Sequence, residues 1–79
     1  MMKNGGIYVI VYEPLWRTMK ERGFTTYTLR VKHEISSGTV HRLKKNMHVS
    51  THTLDMLCKL LNCRLEDVAE YIPDEQGVK

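Results

Sequence analysis

Residues 25–46 read TTYTLRVKHEISSGTVHRLKKN, and the way this stretch divides decides the fold. Thr25 or Thr26 can cap a short helix running to about His33, because a hydroxyl there accepts a bond from an otherwise unpaired backbone N–H. Ser36 or Ser37 offers the same cap to a second short helix, with Val40 and Leu43 at i, i+3 on its buried side. Only His33, Glu34 and Ile35 separate the two, so they meet across a tight turn at a steep angle. The second helix is poor core material. Ile35, Val40 and Leu43 are sparse, and His41, Arg42, Lys44 and Lys45 fill most of the remaining positions.

Upstream, IYVIVY (7–12) is β-branched and aromatic and lies between Gly-Gly and Glu-Pro, which predicts a strand. EPLWRTMKERG (13–23) predicts a first helix. Pro14 suits its first turn, Leu15, Trp16 and Met19 form one stripe, and Gly23 is a C-cap. In the second helix Leu29 points inward, with Val31 or His33 completing the face. Downstream, Asn46–Val49 is a loop and Ser50 caps the most clearly amphipathic helix, THTLDMLCKLLN, whose Leu54, Leu57, Cys58 and Leu61 keep helical spacing. Asn62 or Cys63 ends it. A last short helix is expected from about Leu65 to Tyr71, with Leu65, Val68 and Ile72 inward and Pro73 as its stop. The expected total is five short helices and one short N-terminal strand. The domain limits are an extension or strand over 1–11, one folded unit over 12–73 and a flexible tail over 74–79.

The chain has 79 residues, 42% hydrophobic and 27% charged, and a net charge of +3. One domain is the expectation, and a unit this small gains from a bundle core or a dimer contact. Charge is unevenly placed. Residues 17–48 carry Arg17, Lys20, Arg22, Arg30, Lys32, Arg42, Lys44 and Lys45 against Glu21 and Glu34, whereas residues 49–79 are net acidic. A basic middle suits a polyanion. No apolar run approaches the roughly 20 residues a membrane span needs, and MMKNGG does not begin a signal peptide, so the cytoplasm is the expected compartment.

Cys58 and Cys63 are therefore expected to stay reduced. Neither their spacing nor that of His48 and His52 is a zinc-finger pattern, and Cys58 falls on the buried stripe, unsuited to redox sensing. Trp16, Tyr12, Met19 and Phe24 are assigned to the core. No nucleophile–base set, paired-carboxylate site or phosphate loop is present, so the expectation is a non-enzyme without cofactor or small-molecule domain.

A capped helix, a tight turn and a second helix with a polar outer face is the helix-turn-helix plan. Its second helix enters the major groove and presents its N-terminal residues to base edges. Ser36 and Ser37 stand at the positive end of that helix, and Gly38 allows close backbone approach. His41 and Arg42 lie one turn on, and Arg can bond guanine in bidentate fashion. Lys44 and Lys45 suit phosphates.

Residues 12–75 resemble the Cro/lambda-repressor-like (Xre-type) helix-turn-helix regulators. The fragments carrying the likeness are YEPLWRTMKERG, TTYTLRVKHEISSGTVHRLKKN and VSTHTLDMLCKLLNCRLEDVAEYIPDE, the last pointing to a small single-domain subgroup. The resemblance implies an all-α, compact five-helix bundle, sequence-specific binding of double-stranded DNA and usually a homodimer. It matches Thr25 and Thr26 to a phosphate-holding helix start, Ser36, Ser37 and Gly38 to the start of the recognition helix, His41 and Arg42 to its second base-facing pair, and Lys45 and Asn46 to phosphate contacts just after the helix. Two positions depart from the pattern. Arg30 stands where a small residue is usual, and Glu34 where the turn usually has glycine. A left-handed Glu34 costs on the order of 1 kcal/mol. Two functions follow as expectations: a repressor or operon-local controller, or an antitoxin-like interaction module with weak DNA affinity. The lone strand Ile7–Tyr12 is expected to pair with its copy in a two-fold dimer, the alternatives being packing against its own bundle or disorder near the start.

Overall fold

The computed structural model describes residues 8–73. The elements run β1 (Tyr8–Val11), α1 (Glu13–Arg22), α2 (Thr26–Lys32), α3 (Ser37–Lys44), α4 (Thr51–Leu61), a 3-10 turn (Leu65–Asp67) and β2 (Glu70–Pro73). The expected strand residue Ile7, the rest of the extension before it and the tail over 74–79 lie outside the described residues.

Each helix starts and stops for a local chemical reason. Pro14 opens α1, where the missing N–H costs nothing and the fixed φ is already helical. Gly23 ends α1 at φ 78°, with Phe24 N–H bonded to the Met19 carbonyl at 2.8 Å. Asn46 (φ 57°) and Asn62 (φ 52°) end α3 and α4 in the same left-handed way. There Met47 N–H reaches the Arg42 carbonyl at 2.8 Å and Cys63 N–H the Cys58 carbonyl at 3.0 Å, so otherwise unpaired carbonyls of the last turn find donors. Glu34 (φ 57°) turns the chain after α2, and Ile35 N–H closes back on the Leu29 carbonyl at 3.0 Å.

One core joins these elements. Leu15, Leu29, Leu43, Leu57, Leu61 and Val68 are fully buried, and Tyr12, Met19, Ile35 and Val40 close around them. Each buried Leu is worth about 1.5–3 kcal/mol relative to exposure, so α3 is held mainly through Leu43 and Val40. Trp16, Phe24, Leu54 and Cys58 pack against this core while half-buried.

The C-terminal part differs from its expected form. The fifth helix is absent from the described residues; a single 3-10 turn and a strand replace it, leaving four α-helices and a two-stranded antiparallel sheet. Glu70–Pro73 pairs with β1 in the register Tyr8↔Pro73, Val9↔Ile72, Ile10↔Tyr71 and Val11↔Glu70. Tyr and Ile favour an extended backbone, and β1 offers an edge whose N–H and C=O groups need partners. Helical bonding stops after Ala69 N–H meets the Leu65 carbonyl at 3.0 Å. Asp67 holds the turn, its carboxylate accepting Arg64 N–H at 3.0 Å and its carbonyl accepting the Thr18 hydroxyl at 2.8 Å. Only Val68 of the expected inward trio is buried, whereas Leu65 (53%) and Ile72 (43%) are exposed. The N-terminal strand is thus not a lone strand, since one edge is satisfied within its own chain.

Candidate nucleic-acid interface

Hydroxyl caps of one design open α2, α3 and α4. Thr25 accepts Thr28 N–H, Ser36 accepts Thr39 N–H and Ser50 accepts Thr53 N–H, each at 3.1 Å. In each pair the two hydroxyls also bond to one another, at 3.0 Å, 3.0 Å and 3.1 Å. Thr28, Thr39 and Thr53 thus stand at the position usually given to Glu or Gln in a capping box, but bond the cap hydroxyl and carry no negative charge. The spacing Ser/Thr-x-x-Thr, present three times in the sequence, is the signal for them. These bonds resolve both cap alternatives. Thr25 is the N-cap of α2 and Thr26 its first, half-buried residue; Ser36 caps α3 and Ser37 is its first, exposed residue.

The two faces of α3 are chemically opposite. Val40 and Leu43 are buried, whereas Ser37, Gly38, His41 and Lys44 are exposed. Arg42 is half-buried, folded back along the helix with Nη2 donating to Thr39 Oγ1 at 3.4 Å. That fold lays the guanidinium along the first turn. A Cβ built on Gly38 would lie 3.9 Å from Arg42 Nη1 and 3.8 Å from Ser36 Oγ, which is ordinary contact. The free chain therefore does not need glycine there for space.

Lys45 is the C-cap of α3 and is exposed. Asn46, next to it, is exposed as a residue but its side chain works inward. Its Oδ1 accepts Tyr12 N–H at 3.0 Å, while the Tyr12 hydroxyl donates to the Met47 carbonyl at 3.0 Å. Tyr12 is 4% exposed, and burial pushes its phenol above the ordinary pKa of 10.0. These two bonds tie the junction of β1 and α1 to the end of α3. No local pattern in the sequence announces them, because the partners stand 34 and 35 positions away.

Charge leaves the basic middle open. Among the described residues the ion pairs are Lys59–Asp55 at 3.7 Å and Arg64–Glu66 at 3.3 Å. Both are exposed and weak, and neither uses a cation from residues 17–48. Helix α3 ends with Lys44, while α2 ends with Arg30 and Lys32, a placement that also suits the helix dipoles.

Two short helices across a tight turn, the second anchored by two apolar residues and presenting small polar and basic groups outward, define a helix-turn-helix DNA-binding fold. The family model for the Cro/C1-type HTH DNA-binding domain matches residues 14–74, and the chain belongs to that family of DNA-binding domains. Among solved structures, the crystal structure of the transcriptional regulator VanUg, Form II, is similar: 30% identity, a TM-score of 0.79, and coverage of 94% of this chain and 97% of that one. No curated protein matches the chain. Among the described residues no helix is long and apolar enough to cross a membrane.

Proposed function

We propose that this chain is a sequence-specific transcriptional regulator of double-stranded DNA, acting as a cytoplasmic repressor or operon-local controller, with α3 in the major groove. The observation that carries the proposal is the division of α3 into a buried Val40–Leu43 side and an exposed Ser37–Gly38–His41 side beside unneutralised cations. Ser37, Gly38, His41 and Arg42 address base edges. Thr25, Thr26, Ser36, Lys44 and Lys45 address phosphates, and Asn46 acts chiefly by seating the end of α3. Arg42 swings out from Thr39 on binding, since the 3.4 Å bond it gives up is a long one. Residues 12–73 form the DNA-binding unit.

A second copy completes the regulator. Two-fold related recognition helices about 34 Å apart read one duplex turn on one face. Val9, Ile10, Tyr71 and Ile72 are all exposed on the two-stranded β1–β2 sheet, and this apolar ribbon is the surface for that copy. Ile10→Glu should sediment as a monomer and lose operator affinity; an unchanged dimer would place the interface elsewhere.

Selection of duplexes from a random pool tests the main proposal. A preferred, palindromic site is expected, with affinity falling steeply as salt rises. Arg42→Ala should relax base preference at one position, at a cost of about 1–3 kcal/mol, whereas Lys45→Ala should weaken all duplexes alike and reduce the salt slope by about one. If neither variant differs from the parent on either count, the proposed face is misassigned.

A further inference from the structure

Cys58 and Cys63 stand at the two ends of one backbone hydrogen bond, the 3.0 Å closure that ends α4. In this kind of helix end the residues so linked are brought side by side, and their side chains commonly touch. At the end of α1 the equivalent positions hold Met19 and Phe24, linked at 2.8 Å. At the end of α4 they hold two thiols. Both cysteines are free and only half-buried, so Cys58 is not sealed in the core as its stripe position suggests. A reagent can reach either thiol, and each thiol lies beside the other.

We propose that Cys58 and Cys63 form a dithiol site that closes to an intramolecular disulfide when challenged by a low-molecular-weight disulfide. One cysteine thiolate attacks a sulfur of the reagent, expelling one small thiolate and leaving a mixed disulfide. The neighbouring cysteine, deprotonated, then attacks the protein sulfur of that bond and expels the second small thiolate. Both small thiolates take up the protons the cysteines released. The reagent is reduced to two small thiols and the protein pair is oxidised. The second step is favoured because the 3.0 Å backbone bond already holds the attacking residue beside its target.

The neighbourhood shapes the rate. Burial raises the Cys63 thiol above its ordinary pKa of 9.0, Cys58 and Asp67 add to this, and Arg22 opposes it. Closure therefore quickens as the pH becomes alkaline. Arg22 also donates to the Asn62 carbonyl at 3.5 Å, so a new cross-link would fix the left-handed Asn62 turn on which that contact rests.

The test incubates the native, reduced chain with oxidised glutathione and follows intact mass and free thiols. Loss of both thiols with loss of two hydrogen masses, and no lasting adduct, is the expected result. Cys58→Ser and Cys63→Ser should each stop at one glutathione adduct. A parent chain that accumulates stable glutathione adducts overturns the proposal. So does one that stays reduced while native but reacts once unfolded in denaturant. The parent result is decisive even if a serine variant folds poorly.

Discussion

The turn between α2 and α3 carries a measurable strain at Glu34. Four left-handed residues follow the four helices, at Gly23, Glu34, Asn46 and Asn62. Glycine has no Cβ to clash in that conformation and asparagine tolerates it, but Glu34 at φ 57° bears the penalty. That penalty is roughly 1–2 kcal/mol for an ordinary side chain. Glycine gives back about 0.4–1 kcal/mol through the greater freedom of the unfolded chain. Glu34→Gly should therefore stabilise the fold by about 0.5–1 kcal/mol, which raises Tm by roughly 2–8 °C for a chain of this size. Glu34→Asn should recover part of this gain. Glu34→Gln removes only the charge and should leave Tm nearly unchanged, since Glu34 is exposed and has no ion pair among the described residues. Thermal and urea unfolding of the four proteins supply the comparison. If Glu34→Gly melts no higher than Glu34→Gln, backbone strain is not what distinguishes this position.

Three other outcomes follow from the geometry. Gly38→Ala should stabilise the free chain by about 0.5 kcal/mol, because the added methyl meets no clash and alanine favours helix. In a gel-shift or anisotropy titration the same variant should lose affinity for its selected duplex on the order of tenfold if the backbone approaches the groove closely. Asn46→Gly keeps the left-handed turn but leaves Tyr12 N–H without its 3.0 Å partner. It should cost about 1–3 kcal/mol in urea unfolding while leaving the salt slope of DNA binding unchanged, and a reduced slope would return Asn46 to the phosphates. Stability should also fall on the alkaline side. Cys63 and Tyr12 are both raised in the folded state, from 9.0 and 10.0. The unfolded chain therefore releases these protons first, and folding free energy is lost as pH climbs through and beyond those ordinary values. Tm measured from pH 8 upward checks this, and Cys63→Ser should delay the onset of the decline.

What the sequence disclosed and what it hid divide by range. The caps, the buried Val40 and Leu43, and the exposed Ser37, Gly38 and His41 depend on spacings of three or four residues, which can be read along one helix. Glu34 stood out because glycine is usual at its position, and its φ of 57° agrees. Glu70–Pro73 misled because four residues with a helical neighbourhood contain no sign of a strand partner some sixty positions earlier in the chain. A separation of 34 and 35 positions hides the second role of Tyr12, legible as a core aromatic but not as the donor to Asn46 and Met47. A helical period carried through to Ile72 turns Leu65 and Ile72 inward, but the chain abandons that period at Ala69 and both are exposed. Which hydroxyl caps α3, Ser36 or Ser37, could not be settled by spacing, since adjacent serines satisfy it equally; one 3.1 Å bond decides it.

The pairing of Tyr8 with Pro73 has a practical side. Entry to and exit from the described region lie next to each other, so partners fused directly at Tyr8 and at Pro73 would start from one corner of that region. Two copies could accordingly be joined head to tail by a flexible linker grafted there. On the proposed two-fold reading, such a tandem would carry both α3 helices in one polypeptide and let half-site spacing be tuned through linker length alone.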